Sequence, residues 1–180
     1  MTRYLPLFFL MITPLLVLSQ KYKSSESNVQ FFSEAPLENI EAVNTESISL
    51  LDVGTKEIVF SIPITSFEFE KSLMQEHFNE NYLESEKYPK STLKAKIENW
   101  EEGEGVQTVK ATGELTIHGV TKEVTIDGTI EKKGDSYEVN SKFPVKLKDY
   151  KIKIPKAVFY NIAEEVEVSV NFKYAPFSND

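Results

Sequence analysis

The sequence predicts an all-β fold: an antiparallel barrel of about eight strands, with one short helix and loop near residues 70–85. Three observations carry that prediction. Apolar and polar residues alternate with a period of two along most of the chain, which gives each strand a dry face and a wet face. Gly-containing turn signals fall at 52–55, 101–105 and 132–135, between the alternating segments, as in sandwiches and barrels. The 180-residue chain has no cysteine but 12 Phe and 8 Tyr, so its stability rests on packing rather than on disulfides. A sheet with one apolar face must cover that face, and closure into a barrel does so while removing exposed edges.

Taken in order, residues 1–19 read as a signal peptide: one positive charge at Arg3, an apolar run from Leu5 to Leu18, and Val17 and Ser19 before a cut at Gln20. The run is short for a membrane span and is interrupted by Pro6 and Pro14. A retained anchor is the other reading, but no stable span is expected. Residues 20–27 are expected to be a mobile leader. Val29 and Phe31 then open the domain, which is expected to run from 28 to 176 as a single unit. Ile58, Phe60, Ile62 and Ile64 alternate, and Leu93, Ala95 and Ile97 mark another strand. Between them Leu73, Met74, His77, Phe78 and Tyr82 recur at helical spacing, closed by Tyr88-Pro89.

The longest alternating stretch is 107–131. Val109, Ala111, Gly113, Leu115 and Ile117 share the dry face, and after His118-Gly119 the same face continues through Val120, Val124, Ile126, Gly128 and Ile130. His118-Gly119 predicts a two-residue hairpin turn. That turn sets Ile117 opposite Val120, Gly113 opposite Val124, Ala111 opposite Ile126 and Lys110 opposite Asp127. It also makes Lys122 the one charge on the dry side. Tyr137, Val139, Phe143, Val145 and Leu147 form a further dry face, as do Val166, Val168, Val170, Phe172 and Tyr174.

Composition narrows the function. Without residues 1–19 the chain carries 19 lysines against 28 acids, a net charge of −9, which disfavours nucleic acid as a partner because phosphate binding needs a basic surface. No nucleophile elbow and no phosphate-cradling Gly loop occur. With no Cys and two His, the usual nucleophile–base pairs and zinc sets are hard to assemble. The expected protein is therefore no enzyme, with no catalytic residues, no metal and no cofactor. The dry face mixes large residues (Phe60, Phe143, Phe172) with small ones (Ala111, Gly113, Gly128, Ser141). Such a mixture either interlocks into a filled core or leaves a cavity, and the sequence leaves both open.

Two segments go further than the pattern. Gly113-Glu-Leu-Thr-Ile-His-Gly-Val-Thr-Lys122 resembles the signature of the YceI-like family of secreted bacterial proteins. So does Phe67 to Lys90, a Phe-rich helical stretch ending in Tyr88-Pro89. The resemblance implies a lipocalin-like barrel and a periplasmic or secreted location. It also implies an interior tunnel that in some members holds a polyisoprenoid chain, such as a quinone or prenol tail. The stretch 33–44 departs from the Gly- and Thr-rich strand typical of that family.

An apolar small molecule is thus the expected partner, and a homodimer is compatible with the sequence. Phe67, Phe69, Leu73, Met74 and Phe78 are expected to line or lid the tunnel; a core plug under a helix is the plainer reading. The expected walls are Phe31, Ile58 and Phe60, then Ala111, Gly113, Leu115, Ile117, Val124 and Ile126, then Phe143, Val145, Val168, Val170 and Phe172. Lys122 is expected at the mouth, either meeting a head group or simply solvated. Replacing Gly113 by Phe is expected to block the tunnel and spare the fold. A ligand-free interaction module with a filled barrel, and a hydrolase built on paired carboxylates, are the alternatives.

Overall fold

A computed structural model describes residues 21–34, 39–154 and 163–177. The expected signal peptide lies outside the described residues. The strands are β1 (Lys21–Ser33), β2 (Ile40–Asn44), β3 (Ile48–Asp52), β4 (Glu57–Pro63), β5 (Glu68–Phe69), β6 (Lys90–Glu98), β7 (Gly105–Ile117), β8 (Val120–Lys133), β9 (Ser136–Lys146) and β10 (Glu165–Pro176), with helix α1 (Ser72–His77) between β5 and β6. Eight of them close a ring, in the order β1-β3-β4-β6-β7-β8-β9-β10 and back to β1, every pairing antiparallel. β2 and β5 lie outside the ring as a short flap on the upper half of β1.

The hairpin register is the one the turn predicts. Ile117 pairs with Val120, Gly113 with Val124, Ala111 with Ile126 and Lys110 with Asp127. His118 and Gly119 both take positive φ, 50° and 70°, the combination that lets two residues reverse a twisted ribbon.

One expectation is corrected. Residues 21–27 are not a mobile leader but the first half of β1, so the sheet begins at Lys21 rather than at 28. Tyr22 is buried and Lys21–Lys23 pair with β3 while Tyr22–Ser24 pair with the end of β10. Without this segment the ring would not close at that end. The run of Lys, Ser and Glu hides the strand because Tyr22 is the only fully buried residue there. The stretch 33–44, which departs from the Gly- and Thr-rich strand, ends in β2. Its burial alternates with Ile40, Ala42 and Asn44 inward. Asn44 turns the chain from β2 into β3: its Nδ2 donates to Pro63 O at 2.7 Å, and its Oδ1 accepts from Glu46 N at 2.9 Å and Ser47 Oγ at 3.0 Å. A buried amide satisfied on both sides can occupy a core position.

Side chains fill the barrel unevenly. At the end formed by the start of β1, the start of β9 and the end of β10, Tyr22, Trp100, Tyr137, Phe172 and Tyr174 are packed out of solvent. Tyr22 and Trp100 each meet the Tyr137 ring edge-on, at 4.8 and 5.8 Å between centroids. Phe172 meets Phe60 at 4.9 Å. Burial pushes the Tyr174 phenol well above its usual range, and the hydroxyl sits 2.6 Å from Ser49 Oγ, which donates to Val59 O.

Candidate functional site

The opposite end of the barrel is hollow. A cavity of about 150 Å³ lies there, lined by side chains from β1, β2, β4, β6, β7, β9 and β10 and from the α1 segment. Its roof is a cluster of four phenylalanines. Phe31 stacks on Phe78 at 5.3 Å with the planes 17° apart, and Phe67 and Phe69 contact both rings at 5.0 to 5.6 Å. Aromatic pairs of this kind add roughly 0.5–1.5 kcal/mol each beyond their area, and Phe69 N donates to Gln75 Oε1 at 3.3 Å beside them.

The roof is built by an irregular segment. β5 is two residues long, α1 is six, and Phe78–Tyr82 continue as one wide π-type turn. Met74, Phe78 and Tyr82, four residues apart, face the cavity, as side chains at i, i+4 and i+8 share one helical face. Leu73 falls a third of a turn away, and it is 61 % exposed. Its expected place in the lid is therefore corrected: Leu73 lies beyond the edge of the inward stripe.

A second, smaller cavity of about 70 Å³ lies further in. Ile62, Leu115, Phe143 and Val168 line both, so the two chambers share a waist. Of the expected residues, Phe31, Phe67, Phe69, Met74, Phe78, Ile117 and Val145 line the outer chamber, while Ile58, Phe60, Ala111, Ile126 and Val170 line the inner one.

Four others lie apart from both chambers. Val124 is half-buried against the core. Phe172 lies behind Phe60. Lys122 pairs with Leu115 in register but is exposed beside the turn, where water reaches the dry side. Gly113 is the clearest correction: a Cβ there would stand 2.0 Å from Lys94 O and 2.5 Å from Ala95 Cα. The glycine permits close approach of β6 to β7, and a Phe there would break that approach rather than block a tunnel.

The outer chamber is almost wholly apolar. Ser33, Ser91 and Tyr82 are the polar side chains among its lining residues. Ser33 Oγ accepts from Ala163 N at 3.0 Å, and burial pushes the Tyr82 phenol up. Ile40, Leu83 and Ile152 also line it and were missed. Ile40 was hidden in the unrecognised β2, and Ile152 follows a tight turn at Leu147–Tyr150. Leu147 and Val166 were already on the inward faces that alternation assigns.

Beneath the roof His118 serves as a clasp. Its side chain is 10 % exposed. Nδ1 lies 3.1 Å from Tyr150 O and Nε2 2.6 Å from Glu84 Oε2, and the ring meets Tyr88 edge-on at 4.6 Å. Sequence reasoning gave His118 a turn role alone. No helix among the described residues is long and apolar enough to cross a membrane, and no group of three or more metal-ligating side chains is present among them.

The chain matches the YceI-like domain over residues 21–174. Among solved structures it is similar to a polyisoprenoid binding domain from Saccharophagus degradans implicated in plant cell wall breakdown, at 14% identity over 87% of this chain and 98% of that one, TM-score 0.75. It is also similar to Burkholderia cenocepacia BcnA, at 19% identity over 82% and 95%, TM-score 0.70. The Campylobacter jejuni YCEI protein matches at 17% identity over 99% and 100%, TM-score 0.58. At these identities the likeness is one of fold. No curated protein matches the chain.

Proposed function

This chain belongs to the YceI-like domain family, and from that premise we propose that it binds the apolar tail of an isoprenoid-type lipid inside its barrel, as a non-catalytic carrier or store in the periplasm or outside the cell. The observation that carries the reading is the outer chamber: an apolar cavity under four mutually packed phenylalanine rings. The name of the Saccharophagus domain, a polyisoprenoid binding domain, supports the same ligand class. Flat rings and a flexible Met74 suit a thin hydrocarbon.

The energetics are adequate. Each methylene moved from water into such a wall gains about 0.8 kcal/mol, against the cost of ordering the tail. The test is mass spectrometry on an organic extract of protein purified from its own cells, with uptake of an added short-chain quinone measured in parallel. An apolar molecule recovered in stoichiometric amount is expected. Repeatedly empty extracts together with no quinone uptake would sink the reading.

A further inference from the structure

Resting on the proposed carrier role, which obliges the protein to meet a bilayer, we propose that the outer flank of the barrel at β3 and β4 docks on an anionic lipid surface. Six large apolar side chains are exposed among the described residues, and four of them gather here. Ile48, Leu50 and Val59 are 48, 45 and 36 % exposed. Leu50 and Val59 are register partners, and Ile48 lies two residues from Leu50 on the same face, since side chains at i and i+2 point the same way. Phe177 joins them through Lys23, whose Nζ lies 5.9 Å from the centre of its ring. Single exposed apolar residues are ordinary, whereas an adjoining set on one face marks a contact surface.

The surrounding charges decide what covers this set. In one cross-strand row Lys23 flanks Leu50, and Lys94 flanks Val59. Both lysines are exposed. Lys94 makes no ion pair with any described residue, whereas Lys110, Lys142 and Lys173 are tied to carboxylates at 2.6 to 2.7 Å. The next row runs Lys21, Asp52, Glu57, Lys96. Across β1, β3, β4 and β6 the two rows thus set four lysines against two acids, in a chain of net charge −8. Glu114, on β7, lies beyond Lys94. An apolar centre with a basic rim suits an anionic bilayer, where buried apolar area and attraction to the head groups act together. A second copy fits poorly. A twofold axis through the Leu50–Val59 pair, laid along the strands or along the row, brings lysine to lysine. An extended peptide finds no edge, because Leu50 and Val59 each have a paired strand on either side.

The experiment is co-sedimentation of the protein, purified from its own cells, with vesicles of phosphatidylcholine alone or of equal parts phosphatidylcholine and phosphatidylglycerol. Binding at least tenfold tighter to the anionic vesicles is expected, and high salt is expected to weaken it by screening the lysines. Leu50→Ser with Val59→Ser is expected to lose at least tenfold in affinity. Lys23→Gln with Lys94→Gln is expected to lose the preference for anionic lipid. Leu73→Ser, at an exposed apolar residue of the roof, is expected to bind as wild type does. Equal wild-type binding to the two kinds of vesicle would overturn the proposal, and so would an unchanged affinity in the Leu50 and Val59 variant. A wild-type dimer that this variant makes monomeric, read by sedimentation velocity, would give the flank to a second copy and overturn it as well. Quinone uptake is expected to be equal in wild type and variants, so a failure of docking and a failure of ligand binding are told apart. The comparison of the two vesicles with wild-type protein decides the matter even if a variant folds poorly.

Discussion

Gly113 shows how a single residue can be read correctly for its face and wrongly for its purpose. Alternation places it on the dry side of β7, which the register bears out. What alternation cannot give is the distance to the next strand. β6 approaches so closely that Lys94 O occupies the space of a side chain. Gly113→Ala is therefore expected to destabilise the fold by about 1–3 kcal/mol, the range for overpacking, read as a lowered urea midpoint. An unchanged midpoint would mean that the strands separate freely there. Leu73 and Lys122 fail for a related reason. Periodicity assigns a face, but near the end of an element the face itself meets solvent, and both side chains are exposed.

Among the elements, the β7–β8 hairpin was legible in full. Thirteen residues on one side of a two-residue turn admit one register that keeps the oily set inward, since a slip by one residue would invert every side chain. β2 and β5 were illegible because they are short and one of the inward residues of β2 is Asn44, a polar side chain satisfied by contacts distant in sequence or made through the backbone. The clasp made by His118 was hidden in the same way, since its partners lie 34 and 32 residues away. His118→Asn keeps a residue that tolerates positive φ but is too short to reach Glu84. Amide exchange is expected to accelerate at least tenfold over residues 83–89 and at Ile152, with the hairpin still protected. Equal exchange in the two proteins would show that the clasp holds nothing.

At the scale of the whole molecule, closure depends on the segment that composition alone makes look disordered. β1 pairs with β3 at its start and with β10 along most of its length. A chain beginning at residue 27 would lose Tyr22 from the aromatic floor and leave edges of β3 and β10 unpaired. Such a truncation is expected to cost at least about 3 kcal/mol, the cost of removing a large buried side chain, and to raise light scattering as the open edges associate. An unaltered urea midpoint would show instead that residues 21–26 are dispensable. The barrel class was legible because periodicity and closure are properties of the whole sequence. The division into a hollow half and a solid half was not, since it depends on which rings meet across the interior. That division has a consequence for traffic. With one end packed by Tyr22, Trp100, Tyr137, Phe172 and Tyr174, a tail bound as proposed would enter hydrocarbon first through the hollow end, and any polar terminus it bears would face outward there.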